Sequence, residues 1–465
     1  MSNRQMANQL CRAALAATVA AAALTAHAAP AAAQDAAADA PLTMQEELAL
    51  MRAQMDAMAQ RIATLEAELE TAQAVPAAVA AVPPPAPAPA AAPDTQIAFK
   101  GAPEIKGKGG WSFKPRGRLQ YDAGIVEAPN ATGRDEGFGN DLRRARLGVS
   151  GDMPGGFGYK FEVDVANSDL AVTDAIISYE DGDVEISVGQ FNNFQGLEEL
   201  TSSLHTSFIE RAAFTDAFGF VRRVGVGVQY SPGDLLIQGG VFSDNMDVLP
   251  SDDWSANGRV VYMPKVGNAQ VHLGASVHYR EYEAGSTVRY RQRPLVSFTS
   301  ERFINTDRFS ASSELGYGAE AAVISGPFHA AVEGRWQNVS RPGALADPTF
   351  FGGYAEVGYY LTGGDTRGYK GGKFDRTKPA NPVGEGGIGS VQANLRYDRL
   401  DLSDAGILGG TQDGYFFSLV WKPTDYTMLL ANYGKLSYGD AFYPAAGGDT
   451  SYDVDVFGVR AQIDF

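Results

Sequence analysis

The sequence predicts an all-β protein, a transmembrane antiparallel β-barrel of about 16 strands, preceded by a short coiled-coil helix and a Pro/Ala-rich linker. Three observations predict this class. From Trp111 onward, apolar and polar residues alternate with a period of two in segments of about ten residues. The first 33 residues have the pattern expected of an export signal. Its last segment, VFGVRAQIDF, ends with Phe465 on the apolar face.

Residues 1–33 are predicted to be a signal peptide. Arg4 and Arg12 precede a short apolar run over 13–26, and small residues around Ala28 and Ala33 offer cleavage sites. A transmembrane anchor is the alternative, but the run is too short and too rich in alanine to span a bilayer well. The single cysteine of the chain precedes the apolar run, so we expect neither a disulfide nor thiol chemistry after export.

Residues 42–72 have the spacing of a coiled coil. Their apolar residues alternate spacings of four and three, which is the pattern of a heptad seam: Met44, Leu48, Met51, Met55, Met58, Ile62, Leu65 and Leu69. A single amphipathic helix packed on the barrel is the alternative. Self-association is favoured because an isolated helix of this length is marginally stable.

Residues 73–109 are predicted to be a linker, since their Pro- and Ala-rich centre, VPPPAPAPAAAP, cannot build a core and favours an extended spacer.

Residues 110–465 carry the barrel prediction. In KFEVDVA (160–166) and SVQANLRYD (390–398), apolar residues occupy one face and charged, amide or small residues the other. A soluble sandwich is the alternative, but its strands are shorter. In a bilayer only a closed barrel satisfies every backbone group of a sheet, with the apolar face toward lipid and the charged face toward water. A final strand ending in Phe465 resembles the assembly signal of bacterial outer-membrane barrels.

Composition and motifs exclude other classes. The net charge is −17, which disfavours nucleic acid as a partner. GEGGIG (384–389) lacks a strand–turn–helix context and is predicted to be a loop. We find no convincing set of nucleophile and base, so no enzyme, cofactor or metal site is predicted. His272 and His278 are interpreted as titrating lumen residues, and EDGD (180–183) as a tight turn rather than a calcium site.

Five segments together resemble the phosphate-selective porin O and P family: NDLRRARLGVSGDMPGGFGYKFEVDVA (140–166), DAIISYED (174–181), VGQFNNFQGLEELTSSLHTSFIERAAF (188–214), YAEVGYYLTGGDTRGYKGGKFD (354–375) and LRYDRLDLSD (395–404). The resemblance covers about 110–465. It implies a homotrimer of 16-stranded barrels, a constriction loop over 192–222, and anion passage past basic residues that include Arg144 and Arg146.

The sequence departs from the family pattern after VGQF. The family commonly has a basic residue there, followed by Pro-Phe, whereas this chain has Asn192, Asn193, Phe194 and Gln195. A lysine expected near the constriction is therefore absent, which leaves phosphate preference open.

The predicted pore-lining residues are basic, because clustered guanidinium groups suit phosphate and carboxylate ligands: Arg116, Arg118, Arg144, Arg146, Lys160, Arg289, Arg291, Arg293, Arg335 and Arg396. Within this set, Arg144, Arg146 and the arginines of RYRQR (289–293), which share one face of any strand, are predicted to form an anion-attracting track. Alternatively, each arginine pairs with a carboxylate of the lumen, for which the candidates are Glu162, Asp164, Glu320, Glu333 and Glu356.

The predicted constriction residues are Asn192, Asn193, Glu198, Glu199 and Arg211. Glu198, Glu199 and the pair Glu210–Arg211 could shape the constriction or tie the loop to the barrel wall, and the second role is favoured.

The sequence thus predicts an outer-membrane porin for passive diffusion of small hydrophilic solutes, with anions such as phosphate or polyphosphate expected. Its predicted partners are outer-membrane lipid, two further copies of the chain and, through the coiled coil, peptidoglycan. The alternative function is structural, a barrel that tethers the outer membrane to the cell wall through the coiled coil.

Overall fold

The computed structural model describes residues 95–134 and 137–465, together with four helical positions at 56, 60, 63 and 64. Those four positions lie within the predicted coiled coil over 42–72. The rest of that segment, the signal peptide and the linker before Thr95 lie outside the described residues. No helix in the described part of the chain is long and apolar enough to cross a membrane.

Sixteen antiparallel strands close into a barrel, as the sequence predicts. Each strand pairs with its neighbours along the chain, and the last strand pairs with the first, with Asp455 opposite Glu127 and Asp464 opposite Arg118. The barrel strands are β3 (Ser112–Glu127), β4 (Gly137–Met153), β5 (Phe157–Asp164), β6 (Ala171–Asp181), β7 (Val184–Asn192), β8 (Arg222–Tyr230), β9 (Leu235–Phe242), β10 (Trp254–Tyr262), β12 (Ala269–Glu281), β17 (Ser313–Ser325), β18 (Phe328–Ser340), β19 (Thr349–Tyr360), β22 (Ser390–Asp404), β23 (Ile407–Thr424), β24 (Thr427–Gly439) and β25 (Tyr452–Asp464).

The start of the barrel unit corrects the predicted linker. Residues that were assigned to the linker over 73–109 form a hairpin of β1 (Thr95–Lys100) and β2 (Ala102–Gly107), and β2 pairs with the beginning of β3. The Pro/Ala composition that predicts a spacer ends before this hairpin, whose strands instead contain the large apolar residues Ile97, Phe99 and Ile105.

Alternation along each strand separates an apolar outer face from a polar inner face. On β3, Leu119, Tyr121 and Ile125 point outward and are exposed, whereas Gln120 and Asp122 point inward and are buried. A period of two produces this separation, since successive side chains of a strand point to opposite faces.

The two ends of the barrel differ in their connections. One end has mostly short turns, such as 182–183 and 326–327, and one long segment over 361–389 that contains β20 (Gly368–Lys370) and β21 (Lys373–Asp375). At the other end the longest loops are 193–221, with helical turns at Leu197–Leu200 and Ala213–Ala217, and 282–312, which contains β13 (Thr287–Val288), β14 (Arg291–Gln292), β15 (Ile304–Asn305) and β16 (Phe309–Ser310). Lys265–Val266 form β11, a short strand before β12.

The apolar core lies inside the barrel, between these two loops and the wall. Phe214 and Val296 from the loops and Phe350 and Leu400 from the strands are almost fully buried in one cluster. The two loops therefore fill part of the interior as a protein core would, and a cavity remains beside them.

Candidate functional site

A cavity of about 1170 Å³ lies inside the barrel, mainly along strands β3 to β10. Loop 193–221, the tip of loop 282–312 and the segment 361–389 also contribute to its lining. Sixteen Lys or Arg residues line it against ten Asp or Glu residues, although the whole chain has a net charge of −17. The cavity is thus locally basic in an acidic protein.

Arginines on β3 and β4 form one wall of the cavity. Arg118 donates to Ser203 Oγ at 3.0 Å and to Glu162 at 3.3 Å. Arg146 donates to Glu162 at 3.1 Å and to Asp164 at 2.7 Å. Arg144 differs, because its hydrogen-bond acceptor is the amide oxygen of Gln120 at 3.0 Å rather than a carboxylate.

A β-bulge turns a further arginine into the cavity. Strict alternation predicts that Arg143 points outward, opposite to Arg144. The pairing of β3 with β4 shifts by one residue there, since Gln120 faces Arg144 and Tyr121 faces Leu142. Arg143 therefore also points inward and donates to both carboxylate oxygens of Glu210, at 2.7 and 3.1 Å. The run LRRAR places two adjacent arginines in this strand, but period-two alternation could not reveal that a bulge turns both inward.

On the neighbouring wall of the cavity, two basic side chains share one carboxylate. Asp174 on β6 accepts from Lys160 Nζ and, at 2.7 Å, from Arg222 Nε. Arg222 lies directly across the β7–β8 pair from Asn192. This cluster thus places a basic side chain beside Asn192, where the family pattern led us to expect one. Sequence reasoning missed Arg222 because it begins a new strand at the end of the loop.

The segment 361–389 enters the barrel from the short-turn end. Tyr369 forms a hydrogen bond of 2.6 Å to His272 Nδ1, and Arg259 donates to the Gly372 carbonyl at 2.8 Å. The segment brings four basic residues to the cavity that were not among the predicted site residues: Lys370, Lys373, Arg376 and Lys378. Burial, with Arg259 and Lys160 nearby, lowers the pKa of Lys373.

Five of the predicted basic residues, Arg116, Arg118, Arg144, Arg146 and Lys160, line the cavity together, and Arg293 joins them from loop 282–312. The prediction for RYRQR is wrong in its geometry, because these residues lie in a loop in which the strand β14 spans only Arg291 and Gln292. Arg291 is exposed, and Arg289 donates to the side chain of Asn305 at 2.8 Å, away from the cavity lining.

Arg335 and Arg396 hold the loop rather than line the cavity. Arg396 donates to Glu198 at 2.9 Å and to Glu356 at 2.7 Å. Arg335 donates to the Gln195 carbonyl at 3.3 Å and lies over the ring of Phe220 at 4.6 Å. Period-two alternation correctly predicts that both side chains point into the barrel, but it cannot show that a loop covers them.

The wall also holds loop 193–221 through backbone groups. The N–H of Leu197 donates to Glu320 at 2.7 Å, and the N–H of Glu198 donates to Glu333 at 2.9 Å. Arg211 closes the loop on itself by donating to the carbonyls of Glu198, Glu199 and Thr201. Of the predicted constriction residues, Asn192, Glu199 and Arg211 line the cavity, whereas Asn193 and Glu198 are buried behind it.

Two loop groups have pKa values displaced by their surroundings. Burial raises the pKa of Glu210, but the charge and hydrogen bonds of Arg143, with Arg144 and Arg460, outweigh it and leave the pKa below its usual value. Burial, together with Lys422, Arg376 and Arg367, lowers the pKa of His205 well below its usual value, so His205 is neutral at physiological pH. Within residues 95–134 and 137–465 no group of three or more His, Cys, Asp or Glu is placed to hold a metal ion.

A closed 16-stranded barrel with an apolar outer face and a charged interior defines a porin of the bacterial outer membrane, a protein that forms a channel. The model of the family described as "Phosphate-selective porin O and P" matches residues 113–465, and the chain belongs to this family.

The chain is similar to one known protein in sequence and to others in fold. A protein of Caulobacter vibrioides, described as uncharacterized, is 44% identical over 385 residues that cover 80% of this chain and 77% of the relative. Among solved structures, outer-membrane expressed OmpT of Vibrio cholerae is similar with a TM-score of 0.51 and 11% identity, covering 78% of this chain and 100% of that one. A loop L8 deletion mutant of OmpT from the same organism is similar with a TM-score of 0.50 and 13% identity, covering 77% of this chain and 100% of that one. At these identities the structural similarity concerns the fold alone.

Proposed function

We propose that this porin conducts small anions, with inorganic phosphate among them, by passive diffusion along the basic wall of the barrel. The excess of Lys and Arg over Asp and Glu in the cavity lining carries this proposal. Charge at a narrow point selects ions, whereas the net charge of the whole protein does not.

Two arginines form the core of the proposed anion path. Arg116 and Arg144 both line the cavity, and in the described part of the chain neither pairs with a carboxylate. Their charges are therefore less neutralised than those of arginines that form ion pairs, and we expect them to attract a permeating anion. By contrast, Glu162 and Asp164 neutralise much of the charge of Arg118 and Arg146.

The proposed assembly is a homotrimer in the outer membrane, with the apolar outer face against lipid and the short-turn end toward the periplasm, as is general for such barrels. The family resemblance supports the trimer. Contact with peptidoglycan remains a proposal that depends on the predicted coiled coil.

The experiment is a reversal-potential measurement on the full chain in a planar bilayer with a KCl gradient, repeated with phosphate added. We expect anion selectivity and a phosphate-dependent decrease in the chloride current. In the double variant R116Q/R144Q, the ratio of anion to cation permeability should fall by about threefold or more, because two unpaired charges leave the path.

The matched control is Arg399→Gln. Arg399 lies on β22 with its side chain outside the cavity, paired with Asp413 and Asp401. Its replacement should leave the permeability ratio unchanged. Cation selectivity of the unsubstituted channel, or equal effects of the double variant and the control, would contradict anion conduction along this wall.

A further inference from the structure

One carboxylate faces the basic wall from the loop that narrows the barrel. The helical turn Leu197–Leu200 is fixed to the opposite wall, because its first two N–H groups donate to Glu320 and Glu333. Glu198 continues this attachment, since its carboxylate accepts from Arg396 at 2.9 Å and from the Ala212 N–H at 3.1 Å. Successive residues of a helical turn point about 100° apart. Glu199 accordingly points away from these contacts and lines the cavity.

The contacts of Glu199 are few. In the described part of the chain its ionic contact is Arg211 Nε at 3.6 Å, beyond hydrogen-bond distance. Arg211 itself donates to three loop carbonyls and is held by them. The Glu199 carboxylate is thus held near a guanidinium without being bound to it, unlike Glu210, to which Arg143 donates two hydrogen bonds.

The surroundings of Glu199 are basic. Arg211 on its own loop, Arg222 at the start of β8 and Arg144 on β4 line the cavity together with Glu199. Burial raises the pKa of Glu199, as does Glu198, and the charges of these three arginines oppose the rise without cancelling it. Arg222 shares Asp174 with Lys160, and Arg144 has an amide rather than a carboxylate as its acceptor. These cations exceed the carboxylates that neutralise them, so this part of the cavity attracts a negative charge.

We infer that Glu199 acts as a tethered counter-ion of the channel: its carboxylate occupies the region among Arg144, Arg211 and Arg222 and competes there with the permeating anion. The competition lowers the affinity of the channel for anions, so that an anion which enters also leaves, as conduction requires. This inference rests on the proposed anion conduction and assigns a specificity-determining role to a residue of the loop.

The test compares Glu199→Gln with the unsubstituted full-length channel in a planar bilayer, with inorganic phosphate as the probe. The phosphate concentration that halves the chloride current should fall by about tenfold, because a competing negative charge is removed from the lining of the cavity. The reversal potential in a KCl gradient should move toward anion selectivity. Glu185→Gln is the control, since Glu185 also lines the cavity but accepts a hydrogen bond from Ser187 at 3.2 Å and lies apart from these three arginines.

Equal effects of E199Q and E185Q, or a higher half-blocking concentration in E199Q, would overturn the inference. Glu199→Asp shortens the side chain by one methylene group and should give an intermediate half-blocking concentration. It replaces E199Q as the test if E199Q does not assemble. A half-blocking concentration at or above that of the unsubstituted channel would also contradict the counter-ion role. Cation selectivity of the unsubstituted channel would refute anion conduction, whereas the difference between E199Q and that channel still reports on Glu199.

Discussion

Single residues decide whether loop 193–221 can sit against the wall, and Gly196 is the clearest case. Its φ of +152° is one that side chains rarely adopt, and a Cβ there would lie 2.0 Å from Glu333 Oε1. The same Glu333 carboxylate accepts the Glu198 N–H. A glycine at this position therefore permits the contact that holds the helical turn.

Gly196→Ala should release the turn at Leu197–Leu200, because the added methyl group cannot coexist with the Glu333 contact. We expect noisier single-channel current and faster protease cleavage within 193–221 of the assembled protein. The lost hydrogen bond and the strain cost about 1–3 kcal/mol of loop stability. Gly363→Ala is the control, since no atom lies within 4 Å of its Cβ position. Unchanged cleavage in Gly196→Ala would show that the wall contacts do not hold the loop.

For single residues, the sequence predicted the direction of most side chains but not their hydrogen-bond or ion-pair partners. Alternation places Arg144, Arg146, Arg335 and Arg396 inward. Whether each is available to a solute depends on loop contacts, which have no periodic signature. A bulge likewise shifts the register by one residue, and for this reason Arg143 was missed.

At the scale of an element, loop 193–221 contains carboxylates whose pKa values are displaced in opposite directions, and Glu199 and Glu210 are the clearest pair. Burial raises the pKa of Glu199, although Arg211, Arg222 and Arg144 oppose it. The pKa of Glu210 is lowered by Arg143 and its neighbours. The contribution of Glu210 to loop stability is therefore present above its unfolded pKa of about 4.3 and is lost only as the pH falls through its lower folded value. Protonation of Glu199 comes first, and it relieves the cost of a buried charge.

Acidification from pH 7.5 to 4.5 should therefore move the reversal potential in a KCl gradient toward anion selectivity while the loop stays attached. Chloride does not titrate in this range, so the change reports on the protein. Asp216, whose pKa burial also raises, contributes in the same direction. The variant E199Q should lose the larger part of the dependence, and E199Q/D216N should lose more than E199Q does. A full pH dependence in E199Q would assign the effect to other groups.

The loop elements were the least predictable part of the fold. Their boundaries followed from the strands on either side, and the family resemblance implied the constriction loop. The entry of segment 361–389 from the opposite end had no signal beyond its length and its basic residues. Its position depends on contacts with His272 and Arg259, which are distant in sequence.

At the scale of the whole molecule, the β3–β25 pair that closes the barrel also contacts a loop that fills the interior. We call this pair of strands the seam. Gly124 on β3 faces Gly458 on β25. A Cβ on Gly124 would lie 2.0 Å from the Phe457 carbonyl oxygen and 2.7 Å from the ring of Phe298, which belongs to loop 282–312. At the other end of the seam, the backbone groups of Phe465 and Gly117 exchange two hydrogen bonds of 3.0 Å each. The apolar alternation and the terminal Phe465 predicted the closing strand, but the demand for glycine at the seam depends on how closely the two strands and the loop approach.

Gly124→Ala should therefore impair assembly of the entire barrel, because its methyl group meets backbone that cannot move without opening the β3–β25 pair. Overpacking of this kind costs about 1–3 kcal/mol, and here it acts on the step that closes the sheet. The fraction of folded protein in the outer membrane, measured by heat-modifiable mobility on gels, should fall. Gly258→Ala provides the comparison on β10, since its Cβ would meet Val277 Cγ1 at an ordinary 3.5 Å. Normal assembly of Gly124→Ala would mean that the seam forms with enough freedom to accept a side chain, and closure would then depend on the terminal strand and Phe465 rather than on the fit between β3, β25 and the loop that fills the barrel.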